Sequence, residues 1–209
     1  MRLSLSVLFA WSVTILPAPA ADWVSIQPDP SFHGWTRVPI KPTTELVSPS
    51  QWRVADDGHL ICDGAREKGH EFLRYDRELE NFILRVEWRF TKIEGETKYN
   101  SGVFVRNTAD GNTAWYQAQI SGPSNAGYFF YVDTTGKRTT LKDQMTSNPV
   151  KEPGEWNTYE IRADGPRVSL LVNGVETSHF DCDRLKGYAG LEAEYYRIEF
   201  RNIRLRELP

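Results

Sequence analysis

Three dipeptides, Asp57-Gly58, Asp164-Gly165 and Asn173-Gly174, each stand between short runs of strand-forming residues. These pairs tolerate the positive φ of tight hairpin turns, so each marks an antiparallel hairpin: Gln51–Val54 with His59–Cys62, Glu160–Ala163 with Arg167–Val172, and Arg167–Val172 with Val175–Phe180. Longer strand signals lie between them at Phe82–Thr91, Gly102–Arg106, Trp115–Ile120 and Tyr128–Val132, and no stretch after residue 20 keeps a helical period. The series predicts an all-β jelly-roll sandwich with negligible helix. Residues 134–155 read as a long polar loop over one rim.

The beginning of the chain has a different character. Arg2, the uncharged apolar stretch Leu3–Leu16 and Ala18-Pro19-Ala20 make the three-part pattern of a secretory leader, cleaved after Ala20. The stretch falls short of the roughly 20 residues that span a bilayer. The expected organisation is therefore a leader at 1–20, a single domain at 21–209 with no membrane span, and a periplasmic or extracellular location.

Charge excludes one class of partner. The chain carries 25 basic and 28 acidic residues, net −3, and the basic ones are scattered, whereas nucleic-acid binding needs a concentrated basic surface. Of the two cysteines, Cys62 and Cys182, two separate buried thiols are the expectation over a disulfide. His33, His59, His70 and His179 are dispersed without metal-ligand spacing, and neither a nucleophile elbow nor a phosphate-cradling glycine loop occurs.

Alternation sorts the strands into faces. In Gly190–Glu194, Leu191 and Ala193 share one side while Glu192 and Glu194 stand together on the other. In Ile198–Leu205 the phase of Ile198 and Phe200 is lost by Ile203 and Leu205, which predicts a bulge near Arg201-Asn202. If the long strands are neighbours in one sheet, its outer face carries Glu87, Arg89, Arg106, Gln117, Gln119, Glu192 and Glu194, with Phe104 and Trp115 among them. Hydroxyl readers beside aromatic rings suit a carbohydrate. A plain solvated face with cross-strand ion pairs has the same pattern. Trp52, Trp88 and Trp156 read as structural.

Several segments in order resemble a known family: Phe32-His33-Gly34-Trp35, Asp57-Gly58-His59-Leu60, Glu87-Trp88-Arg89, Asn100-Ser101-Gly102-Val103-Phe104-Val105-Arg106, Tyr116-Gln117-Ala118-Gln119-Ile120, Gly154-Glu155-Trp156-Asn157, Gly190-Leu191-Glu192 and Phe200-Arg201-Asn202-Ile203. From about Trp23 to Leu208 the chain is similar to the 3-keto-disaccharide hydrolases, also described as 3-keto-glucoside 1,2-lyases and hydratases. The resemblance implies a concanavalin A-like fold and cleavage of a 3-keto-glycoside: the C3 ketone acidifies the C2 hydrogen, a base removes it, and the group at C1 leaves. It implies Glu192 and Glu194 as base and acid, Arg106 as stabiliser of the enolate, and Gln117 and Gln119 as readers of sugar hydroxyls; Asn100, Trp115 and Glu87 are further candidate substrate-binding residues. Gln117, Glu192 and Glu194 stand where many relatives carry Glu, Gln and His. No cofactor is expected, although the carboxylate pair with Asn100 offers oxygen ligands to a divalent cation. The alternative reading is a non-catalytic, lectin-like carbohydrate-binding module, since the fold hosts both.

Overall fold

The structure, a computed structural model, describes residues 22–64 and 69–209. The expected leader lies outside the described residues. Two antiparallel sheets pack face to face, and among the described residues helix is limited to single 3₁₀ turns at Pro123–Asn125 and Lys142–Gln144.

The back sheet runs in the order Val175–Asp181, Arg167–Val172, Asn157–Asp164, Phe82–Phe90, Ile198–Glu207, Leu60–Cys62, Trp52–Val54, with Val24–Ser25 added to Ile198–Glu207. The front sheet runs Arg138–Thr140, Phe129–Val132, Trp115–Ile120, Ser101–Asn107, Tyr188–Ala193, Glu71–Tyr75, Trp35–Pro39. The three expected hairpins are present, and Asn173 and Gly174 both take the positive φ (49° and 88°) of a tight turn. Apolar positions of both sheets face inward, and Leu84, Val86, Trp88, Val103, Tyr116, Ala118, Ile161 and Leu191 are buried in one cluster. Cys62 and Cys182 are buried and unbridged, and burial pushes the Cys62 thiol up to about 12.

The structure departs from the sequence expectations at three points. Phe82–Phe90 lies in the back sheet between Asn157–Asp164 and Ile198–Glu207, so Glu87 and Arg89 are on the opposite side of the sandwich from Gln117 and Glu192. Alternation assigns a strand's two faces; it does not say which sheet the strand joins. Arg106 fails for a different reason: register against Tyr188–Ala193 shifts between Tyr188 and Gly190, and Arg106 takes φ 53°. This bulge breaks the alternation and turns the side chain inward. There it is fully buried, donating from Nη1 to the Arg184 carbonyl at 3.0 Å and from Nη2 to the Glu80 carbonyl at 2.9 Å. Third, the stretch after Thr134 is not all loop, because Arg138–Thr140 pairs with Phe130–Val132 as an edge strand. Trp156 is half-buried and packs against the back sheet, with the guanidinium groups of Arg89 and Arg201 4.5 and 3.9 Å from its ring. The bulge at Arg201-Asn202 is where the lost phase placed it, with Asn202 at φ 51°.

Candidate functional site

On the outer face of the front sheet, phase brings Glu192, Gln117 and Gln119 side by side from two strands flanking Ser101–Asn107. Gly102 is opposite Gln119, and it continues the Leu191–Val103 register to the position opposite Glu192. Its missing side chain matters: a Cβ at Gly102 would sit 2.4 Å from the Gln117 side chain. Across this gap Gln117 Nε2 donates to Glu192 Oε2 at 2.6 Å and also reaches Gln119 Oε1 at 3.2 Å. Gln119 Nε2 in turn donates to Asn100 Oδ1 at 2.5 Å.

The second oxygen of Glu192 meets a residue the sequence reading passed over. His70 sits one position before Glu71–Tyr75, the strand that pairs with Tyr188–Ala193, so it lies at the same end of the sheet as Glu194. Its Nε2 is 2.7 Å from Glu192 Oε1 and 4.0 Å from Glu194 Oε1. Its Nδ1 is 2.6 Å from the Lys41 carbonyl, which can only accept, so Nδ1 carries a proton. A pattern of spacings along the chain has no means of finding this pair, which are 122 residues apart and joined only by strand pairing.

Electrostatics raises the proton affinity of both groups. Burial pushes the Glu194 carboxyl up, the neighbouring Glu192 charge pushes it further, and it reaches about 7 despite the opposing charge of His70. The Asn100 side chain also bonds this carboxyl and works against the rise, and among the described residues the buried Glu194 Oε2 has no hydrogen-bond partner. Burial works against charge on His70, but the hydrogen bond and charge of Glu192, the Lys41 carbonyl and Glu194 outweigh it and leave the imidazole raised. The same trio is also a donor set for a divalent cation. Its imidazole nitrogen and two carboxylate oxygens lie within 4.8 Å of one another, and such an ion would supply a Lewis acid.

The cluster opens into a cavity of about 540 Å³, within the usual range for small-molecule sites. Aromatic rings make its apolar side: Trp115 and Phe130 are 5.0 Å apart, Phe104 lies 6.5 Å from Trp115, and the Arg138 guanidinium stands 4.9 Å over Phe130. Of the residues singled out from sequence, Glu192, Glu194, Gln117, Gln119, Asn100 and Trp115 converge here, while Arg106 and Glu87 do not. Among the described residues, Arg138, Lys41 and His70 are the basic residues of this wall. A polar end facing an aromatic end matches a sugar, whose hydroxyls and CH faces need different partners.

Residues 22–206 match the 3-keto-alpha-glucoside-1,2-lyase-like domain. The chain belongs to that family. Membership puts it among carbohydrate-active proteins. Several solved structures share its fold. A candidate glycosyl hydrolase from Parabacteroides distasonis ATCC 8503 is 16% identical with a TM-score of 0.63, covering 90% of this chain and 94% of that one. The carbohydrate binding module CBM66 from Bacillus subtilis is 16% identical with a TM-score of 0.58, covering 81% and 93%. A Bacillus licheniformis beta-glucanase is 10% identical with a TM-score of 0.57, covering 92% and 99%. At these identities the likeness is one of fold. Over 126 residues the chain is 25% identical to protein phosphatase 1E of Homo sapiens, which is 56% of this chain and 17% of the phosphatase. The chain thus spans under a fifth of that relative's length. Among the described residues no helix is long and apolar enough to cross a membrane.

Proposed function

We propose that this protein is an exported enzyme that cleaves 3-keto-glycosides by elimination across C1 and C2, without a cofactor. The observation that carries this reading is the pairing, at one end of a sugar-sized cavity, of a carboxyl raised to about 7 with an imidazole 4.0 Å away that its neighbours also raise. A general base works best with a pKa near the operating pH, which Glu194 meets. Glu194 takes the C2 proton as the C2–H electron pair forms the enolate. Collapse of the enolate then breaks the C1–O bond, and the departing oxygen receives the Nε2 proton of His70. The products are an unsaturated 3-keto sugar and an alcohol. The proton held by Glu194 returns to His70 over the short gap between them, so the enzyme is regenerated with no net charge change.

The other residues support those two. Glu192 holds His70 in place and favours its charged form, while Gln117 holds Glu192. Asn100 and Gln119 offer amides to hydroxyls, Trp115 and Phe130 offer ring faces, and Arg138 takes the role of cationic wall to the enolate that the family resemblance implied for Arg106.

Incubation with a 3-keto-glucoside and with the parent glucoside, with and without a chelator, tests the reading. Product from the keto sugar alone, insensitive to the chelator, is the expected result. Loss of turnover on chelation would assign the trio to a bound cation. Binding of either sugar without any product would favour the lectin-like alternative.

A further inference from the structure

His70 is gripped by a single turn. The segment Ile40–Thr43 is closed by the Thr43 N–H, which donates to the Ile40 carbonyl at 2.9 Å. The Ile40 N–H donates to the His70 carbonyl at 3.1 Å, the Thr43 hydroxyl accepts the His70 N–H at 3.1 Å, and the Lys41 carbonyl accepts from the ring Nδ1–H at 2.6 Å. The first two contacts fix the backbone of His70; only the third fixes its ring. The turn follows Trp35–Pro39, the edge strand of the front sheet, so strand pairing alone does not hold it.

That hold comes from across the cavity. Asn112 belongs to the loop between Ser101–Asn107 and Trp115–Ile120, the strand that carries Gln117 and Gln119. Its Oδ1 accepts the Lys41 N–H at 2.8 Å, and its Nδ2 donates to the Asp110 carbonyl at 2.8 Å and the Pro39 carbonyl at 3.4 Å. A backbone N–H can only donate and a carbonyl can only accept, so these partners allow the amide one orientation. Asp110 stiffens the loop: its carboxylate accepts from the N–H groups of Asn112 and Thr113 at 3.1 and 3.2 Å and from the Thr113 hydroxyl at 2.7 Å. The loop is also seated on the sheet. A Cβ at Gly111 would stand 2.8 Å from the Ile40 side chain and 3.0 Å from that of Phe72, so any side chain there would push the loop away from the turn it holds. Ile40, Phe72 and Phe104 form a small buried apolar cluster apart from the main core.

We infer that Asn112 is a positioning residue for His70: by holding the Lys41 N–H it keeps the Lys41 carbonyl on Nδ1, and so keeps Nε2 aimed at Glu192 and the cavity. Its effect on turnover rests on the elimination reading; its effect on the ring does not. An imidazole held at one nitrogen can pivot about that contact, and one held at both cannot. Asn112 also borders the cavity, where its amide could instead meet sugar. Both hydrogens of its Nδ2 are already committed to carbonyls, which favours the clamp.

The test reads the ring N–H of His70 by NMR in the full chain. In the unsubstituted protein the Nδ1–H should give a far-downfield signal protected from exchange with water, identified by its loss in His70→Gln. Asn112→Ala should abolish that signal and lower kcat by about tenfold with KM little changed, a loss within the scale of a misplaced catalytic group. Asn112→Asp keeps an acceptor for the Lys41 N–H and should restore both. Asp110 is not part of the cavity wall, so Asp110→Ala should weaken the same signal without removing a contact to sugar. A His70 signal unmoved by Asn112→Ala overturns the clamp. So does a rise in KM with kcat and the signal intact, which would make Asn112 a direct contact to sugar. If the unsubstituted protein forms no product while Asn112→Ala still removes the signal, elimination is contradicted and the clamp stands.

Discussion

His70 and Glu192 are joined at 2.7 Å while the other nitrogen of the same ring is fixed by the Lys41 carbonyl at 2.6 Å, so the imidazole has neither rotational freedom nor a choice of tautomer. Glu192→Gln removes the charge that offsets the cost of burying a charged His70. The His70 pKa should fall, and the alkaline limb of the pH–rate profile should move to lower pH, with turnover lowered by roughly 10²-fold, the common scale of acid–base help. A profile unchanged in shape would remove His70 from proton transfer.

Removing Arg106 should act on stability and not on chemistry. Arg106→Ala leaves the carbonyls of Arg184 and Glu80 without their donors, at about 1–3 kcal/mol for each buried group left unsatisfied. Urea unfolding should show that loss, while the rate per folded molecule stays near that of the unsubstituted protein. Glu87→Ala should do less still, because its partner Arg201 is on the exposed face of the back sheet, and such pairs contribute about 0–1 kcal/mol.

Gly102→Ala is predicted to be far more harmful to activity than its size suggests. The new methyl group would occupy the space of the Gln117 side chain, 2.4 Å away, and displace the amide that holds Glu192. Sugar binding and turnover should both fall, and Gly102→Ala combined with Gln117→Ala should recover folding stability but not rate.

These cases mark what was legible in the sequence. Period-two runs and Asp-Gly or Asn-Gly turns carried the fold class, because side-chain alternation and turn chemistry are local. Glu192, Glu194, Gln117 and Gln119 were legible for the same reason: Gln117 and Gln119 lie two apart on one strand, and Glu194 follows directly on the strand that carries Glu192. His70 was not, since its partnership depends on which distant strand pairs with Tyr188–Ala193. Arg106 looked right and was wrong, because a bulge cancels the alternation on which the assignment rested. Glu87 needed the strand order, which no single strand encodes.

The raised groups also predict a pH dependence of stability. Glu194 in the folded chain reaches about 7, above an ordinary carboxyl near 4.5, and His70 lies above 6.5. Both mean that the folded state holds more protons than the unfolded state across this range, so stability falls as pH rises through it. Thermal unfolding should therefore shift to lower temperature between about pH 5 and about pH 8. Glu194→Gln should flatten that slope. Asp110, held down to about 2 by hydrogen bonds that overcome burial, works in the opposite sense but below this window.

The most direct measurement follows the C2 hydrogen itself. Cleavage of a 3-keto-glucoside in deuterated water, with the water adduct of the product analysed by NMR, should place deuterium at C2 of the released sugar, and Glu194→Gln should abolish both release and labelling. Release of sugar with its original C2 hydrogen retained would mean that the glycosidic bond is hydrolysed directly, and would contradict Glu194 as the base of an elimination.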